Sequence, residues 1–166
     1  MAGVELYLIR HGIAAERGPA YPDDTLRPLT AEGMSRMRKQ AKALNTLGVK
    51  LDVIVSSPLV RTRQTADIVS DAFGGKPDVV LSDALAPDGT SAGVIQELAR
   101  YNKKRAVALV GHEPNLGELA ARLISARRAL EFKKGGICRI DFEAFPPKGA
   151  GSLRFFLPPR LLRQLA

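Results

Sequence analysis

Two rhythms of apolar residues alternate along the chain. Short apolar runs that end in glycine, serine or charge predict buried strands over residues 4–9, 52–55, 79–81 and 106–110. Between them, apolar positions three and four apart predict helices. The first carries Met34, Met37, Ala41, Leu44 and Leu47 on one face, with Thr30 as its N-cap and Gly48 at its end. A second covers residues 59–73 and closes at Gly74-Gly75. A third covers residues 91–101, after the turn signal Pro87-Asp88-Gly89. A fourth has Pro114 in its first turn and runs to about Ser125. Residues 13–29, broken by Gly18, Pro19, Pro22 and Pro28, read as loop. After Gly135-Gly136 come two more strands, 137–143 and 152–157, with an antiparallel pairing open to them. Pro158-Pro159 then opens a short helix carrying Leu161, Leu162 and Leu165.

Strands alternating with helices predict a three-layer α/β/α sandwich around a mostly parallel sheet. No repeat, low-complexity tract or linker interrupts residues 1–166, so one domain is expected. A chain of 166 residues buries a sufficient core without metals or disulfides. No apolar run approaches the roughly 18 residues of a membrane span. Strand-like sequence begins by Val4, which leaves no room for a signal peptide. Cys138 is the one cysteine, in a predicted strand, where it reads as core and suits a reducing cytoplasm.

Charge adds a question. The net charge is +8, which attracts anionic partners or simply solvates the surface. Aromatic residues are 5% and Trp is absent, a poor supply of stacking platforms for single-stranded nucleic acid. Among anionic partners, this disfavours nucleic acid against a phosphorylated protein or metabolite.

The chain has two histidines, His11 and His112, and each immediately follows a predicted buried strand. In open α/β sheets, ligands gather at the carboxyl ends of strands. A lone histidine is more often a surface or satisfied core residue; two at equivalent strand ends weaken that alternative. Arg10 precedes His11, and Arg61 falls in the first turn of the second helix, at the same sheet edge. Arg supplies a forked cation for phosphate oxygens, and a His ring nitrogen can attack phosphorus or carry a proton. Arg63, two residues on, should face elsewhere. Asp and Glu show no convergent pattern for a metal, and no cofactor motif is present. A Cys-based phosphatase loop would need an Arg where Ala144 stands, and no Walker loop occurs.

Leu8-Ile9-Arg10-His11-Gly12, Pro28-Leu29-Thr30-Ala31-Glu32-Gly33, the block from Ser57 to Ala66, and Val110-Gly111-His112 together resemble the histidine phosphatase superfamily. This is the phosphoglycerate-mutase-like group, and the four blocks fall in its order. The resemblance implies a metal-independent phosphatase with His11 as the transiently phosphorylated nucleophile. It implies Arg10 and Arg61 as a clamp on the phosphoryl oxygens, and His112 as a second histidine stabilising the transition state. Gly12 is a further candidate contact to the phosphoryl group.

The interval from Arg61 to His112 is filled by predicted elements, so no cap domain or lid is expected. This resembles the small phosphohistidine phosphatases of the SixA type, as does the ending Phe155-Phe156-Leu157-Pro158-Pro159. Many relatives in the larger family carry a Glu general acid after the third strand. Here Ala86 or Pro87 falls at that place, and Asp88 either substitutes for it or caps its own turn. A missing acid favours phosphohistidine, whose protonated ring leaves readily. Glu113 and Asn115 either orient His112 or cap the helix after it. The expected substrate is phosphohistidine on a partner protein. The alternatives are a small phosphomonoester, or phosphate binding without catalysis.

Overall fold

The structure is a computed structural model that describes residues 3–166. Six strands form one sheet: β1 (Val4–Arg10), β2 (Val53–Ser56), β3 (Asp78–Leu81), β4 (Ala106–Gly111), β5 (Ile137–Phe142) and β6 (Ser152–Leu157). Their order is β3-β2-β4-β1-β5-β6. The first four run parallel, whereas β5 is antiparallel to both β1 and β6. Among the described residues the α-helices are α1 (Ala31–Thr46), α2 (Val60–Ala72), α3 (Ser91–Glu97), α4 (Asn115–Leu123) and α5 (Pro159–Leu165).

Alternation along the strands divides the core in two. Leu6 and Leu8 of β1, Val53 and Val55 of β2, and Val107 and Leu109 of β4 face the layer of α3 and α4. Tyr7 and Ile9, Ile54, and Ala108 and Val110 face the layer of α1, α2 and α5. The three-layer sandwich expected from the sequence is the fold observed. Truncating one such fully buried leucine to alanine typically costs about 2–5 kcal/mol.

Local signals set the ends of the helices. Thr30 is the N-cap of α1, its hydroxyl accepting from the Gly33 N–H at 2.9 Å; such caps contribute about 1 kcal/mol. Gly33 itself is forced by a close approach: a Cβ there would stand 2.1 Å from the Ile13 carbonyl oxygen. Three boundaries differ from the sequence expectation. Residues 91–101 divide into α3 and a 3-10 turn over Leu98–Tyr101. Helix α4 begins one residue after Pro114 and stops at Leu123, with Ser125 in the left-handed region at φ 57°. Residues 13–29 hold a 3-10 turn at Asp24–Leu26 and a bridge between Ala14 and Leu29.

Strand register positions the site. Adjacent strands β1 and β4 pair Arg10 with Gly111, so His11 and His112 emerge side by side one residue later. Strand β2 flanks β4 on its other side with Ser56 opposite Val110, which delivers Ser57 and the start of α2 to the same edge.

Candidate active site

The strand ends of β1, β2 and β4 open into one cleft lined by Arg10, His11, Arg61 and His112. Both histidines are nearly buried, and their ring centroids lie 5.3 Å apart. Arg61 is only 3% exposed, whereas Arg63 is exposed on the outer side of α2. The four residues singled out from the sequence are thus brought together.

His11 is held in one tautomer. Its Nδ1 lies 2.7 Å from the carbonyl oxygen of Gly12, which can only accept, so Nδ1 carries the proton. Nε2 therefore keeps its lone pair. Burial drives the His11 pKa down to about 3, and the neighbouring His112, Arg61 and Arg10 charges add to the effect against the Gly12 hydrogen bond. The ring is neutral at physiological pH, the state a nucleophile needs. Its backbone is also pinned. The Gly135 N–H donates to the carbonyl oxygens of both Arg10 (3.0 Å) and His11 (2.9 Å), and Gly135 reaches them at φ +84°.

His112 shares a 2.8 Å hydrogen bond with the Ser57 hydroxyl through Nε2. Burial and then the Arg61 charge lower its pKa to about 4. Arg10 donates to the Phe132 carbonyl oxygen at 2.7 Å. Burial also lowers the Arg10 and Arg61 pKa values from the ordinary guanidinium value, yet arginine stays cationic at neutral pH. Among the described residues, the buried side-chain nitrogen or oxygen atoms without a partner are Nε of Arg10, Nε of Arg61 and Nδ1 of His112. Buried polar atoms normally find partners. Their concentration around one cleft marks a place prepared for a ligand with acceptor oxygens.

The structure corrects the expectations for Gly12 and Asp88 and, for Glu113, selects the capping alternative. Gly12 does not offer its amide to the cleft: its N–H donates to Thr65 Oγ1 at 3.1 Å and its carbonyl is taken by His11. The same Thr65 hydroxyl donates to the Arg61 carbonyl at 2.8 Å, tying the His11 loop to the first turn of α2. Asp88 is exposed and outside the cleft; Pro87 lines it instead. The Asn115 amide sets the phase of that turn by donating to the Pro87 carbonyl at 2.9 Å. Glu113 lines the cleft, but its carboxylate accepts from the Gly117 N–H at 2.6 Å and the Phe132 N–H at 3.2 Å. Glu113 therefore caps α4 and holds the segment that receives Arg10.

Sequence reasoning missed Arg17, Asp24, Arg27 and Lys134, all of which line the cleft. Arg61 donates to the Asp24 backbone oxygen (2.9 Å) and carboxylate (3.0 Å), and Arg27 donates to the same carboxylate at 3.0 Å. Burial alone would raise the Asp24 pKa, but hydrogen bonding by Arg27 and the charges of Arg61 and Arg27 hold it below the ordinary carboxylate value. The local signal was Asp23 before Thr25: an Asx cap, 3.0 Å from Thr25 N, that starts the 3-10 turn carrying Asp24. Among the described residues, no three His, Cys, Asp or Glu side chains gather into a metal-sized cluster.

The site is expected to make folding acid-sensitive. Both histidines are held below the roughly 6.5 of an unfolded histidine, so the unfolded chain binds more protons below that pH. Stability is then whole above about pH 6.5 and declines as pH falls towards the folded-state values near 4 and 3. Glu113, raised by burial, works in the opposite sense at the lower end. Urea midpoints followed from neutral to mildly acidic pH should fall, and a His11→Asn/His112→Asn variant should flatten the slope. Parallel slopes in both proteins would refute this account.

Comparison with known proteins agrees with the geometry. The profile of the histidine phosphatase superfamily (branch 1) matches residues 6–86. An uncharacterized protein of Picosynechococcus sp. is 40% identical over 139 residues, spanning 81% of this chain and 82% of its own. The phosphohistidine phosphatase SixA of Escherichia coli is 24% identical over 159 residues, 94% of each chain. The structure of the protein histidine phosphatase SixA complexed with tungstate aligns with a TM-score of 0.85 at 25% identity, covering 96% of this chain and 99% of that one. With its site at the ends of β1, β2 and β4 and relatives matched along most of its length, this chain belongs to the histidine phosphatase superfamily, among its SixA-type phosphatases.

Proposed function

We propose that residues 1–166 act as one domain that removes the phosphoryl group from phosphohistidine on a partner protein, without a metal ion. The observation that carries the reading is the His11 tautomer: Gly12 holds the proton on Nδ1 and leaves Nε2 free in an arginine-walled cleft. In the first step, Nε2 of His11 bonds to phosphorus as the bond from phosphorus to the substrate nitrogen breaks. The leaving imidazole takes the electron pair and departs neutral because its other ring nitrogen carries a proton. In the second step, water attacks phospho-His11, the P–N bond breaks, and inorganic phosphate leaves with His11 neutral again. Arg10, Arg61 and His112 stabilise the charge on the equatorial oxygens. The guanidinium groups supply the positive charge that a divalent ion supplies elsewhere, which supports the metal-independent reading.

The nitrogen leaving group is favoured by the residue lining the cleft where the resemblance expects a general acid. Pro87 lines the cleft and has no proton to donate, and Asp88 points no hydrogen bond into it. An alkyl oxygen would need a general acid there, and an imidazole needs none. The SixA relatives bear names that specify phosphohistidine or histidine phosphatases. No helix among the described residues is long and apolar enough to cross a membrane. A buried free thiol at Cys138 fits a reducing compartment, and a cytoplasmic protein is part of the proposal.

The test is a paired substrate screen. A phosphohistidine peptide should be turned over with a kcat/KM at least about a hundredfold above that of alkyl phosphomonoesters, the size of a missing general acid. A metabolite phosphomonoester that outruns the peptide would overturn the assignment. Chelator should leave the rate unchanged.

A further inference from the structure

Beside the cleft lies a second groove, and the two share Arg10 and Lys134 on their rims. It is also lined by Arg36 of α1, Lys133, and Arg160 and Arg163 of α5. No Asp or Glu lines it, and the carboxylate that reaches one of its cations is Glu32, 2.6 Å from Arg36. On β5 and β6, by contrast, Arg139 and Arg154 both pair with Asp141, at 2.8 and 2.9 Å. With Arg10, Arg36, Lys133, Lys134, Arg160 and Arg163 lining it and no carboxylate among its lining residues, the groove carries a local excess of positive charge.

Its floor is built. Gln40 is 2% exposed; it donates to the Gly135 carbonyl at 3.1 Å and accepts from Arg163 at 2.9 Å. That places Arg163 on a fixed strut to the loop that pins His11. Above the floor, Arg36, Lys133, Lys134 and Arg160 are exposed. This contrasts with the buried Arg61 of the cleft, and the difference separates two kinds of ligand. A small second phosphate needs converging, desolvated donors. Long exposed cations contributed by three separate segments suit a charged macromolecular surface that keeps partial hydration. No aromatic side chain lines the groove to stack a base, which disfavours a nucleic acid strand.

We propose that this groove docks an acidic stretch of the phosphorylated protein, flanking the phosphohistidine that enters the cleft. The inference rests on the function proposed above and adds a recognition element to it. Docking at a rim of this kind acts on encounter and KM and leaves the chemical step alone.

The probe is a phosphohistidine peptide with glutamates on one side of the histidine, compared with the same peptide carrying serines. Wild-type protein should show a kcat/KM about tenfold higher for the acidic peptide at low salt, and the advantage should fade as salt screens the charges. In a Lys133→Glu/Arg160→Glu variant the advantage should vanish, while turnover of the serine peptide is unchanged. Equal kcat/KM for the two peptides in wild type, or an advantage that survives the double reversal, overturns the proposal. A dye-labelled glutamate peptide without histidine supplies a reading independent of chemistry. It should bind wild type and not the variant; no binding to wild type, or equal binding to both, overturns docking. A single-stranded oligonucleotide that binds in its place would do the same. Failure of the proposed function looks different: the serine peptide itself would not be turned over, whatever its flanks.

Discussion

Replacing His11 by alanine is expected to reduce turnover by about a thousandfold or more while the protein stays folded. The reason is local. Every covalent step proposed runs through Nε2 of His11, and Gly12 fixes that atom as the free one. Activity alone does not separate a nucleophile from a residue that shapes the cleft, so the covalent product is the sharper readout. A rapidly quenched reaction with phosphoramidate should leave a P–N adduct at His11, stable in base and lost in acid. His112→Ala should slow turnover by about a hundredfold yet still form the adduct, because it removes charge stabilisation and leaves the bond-forming atom. His11→Asn keeps much of the ring's shape and serves as the control for packing. Wild-type protein that turns over rapidly without ever carrying label at position 11 would end the proposed mechanism.

The ease with which this site was read from the sequence follows how far its parts depend on distant contacts. His11 and His112 could be placed because a buried apolar run followed by Arg-His or Gly-His is a strand ending at a turn, and register then does the rest. Arg61 could be placed because Ser57-Pro58 fixes where α2 begins. Gly12 was misjudged because the destination of its amide is Thr65, on another element. Pro87 was placed correctly, but whether Asp88 reaches the cleft was left open because Asn115, far along the chain, anchors that turn. Asp24 lay hidden in a stretch without apolar rhythm. Its 3-10 turn is capped locally by Asp23, but its place over the cleft is set by Arg61. The neighbouring cationic groove is assembled from α1, the 133–134 loop and α5, and no window of sequence contains it.

Arg61→Ala is expected to lower kcat/KM by about a hundredfold to a thousandfold, and Arg61→Lys to recover little of it. A lysine supplies the charge but not the planar fork, and here the fork matters because Arg61 is committed before any phosphate arrives. It holds the backbone oxygen of Asp24 with one nitrogen and the carboxylate with the other. The Asp24 carboxylate thus stands as an internal stand-in for the anion. Its side chain is 46% exposed, so the pair is worth little more than a surface ion pair, a few-fold in an equilibrium. A phosphoryl dianion between Arg10, Arg61 and two buried histidines has more charge and less water, so it should displace the carboxylate. Asp24→Asn then separates the two roles open to this contact. If Asp24 competes, the substitution should tighten inhibition by phosphate or tungstate by about threefold to tenfold, with the effect largest at low salt. If Asp24 instead steers Arg61 into place, the same substitution should weaken inhibition and raise KM. The competing role is expected, because Arg61 is also gripped by the Asp24 backbone oxygen, which the substitution leaves untouched. Weaker tungstate inhibition in Asp24→Asn would therefore reverse the assignment.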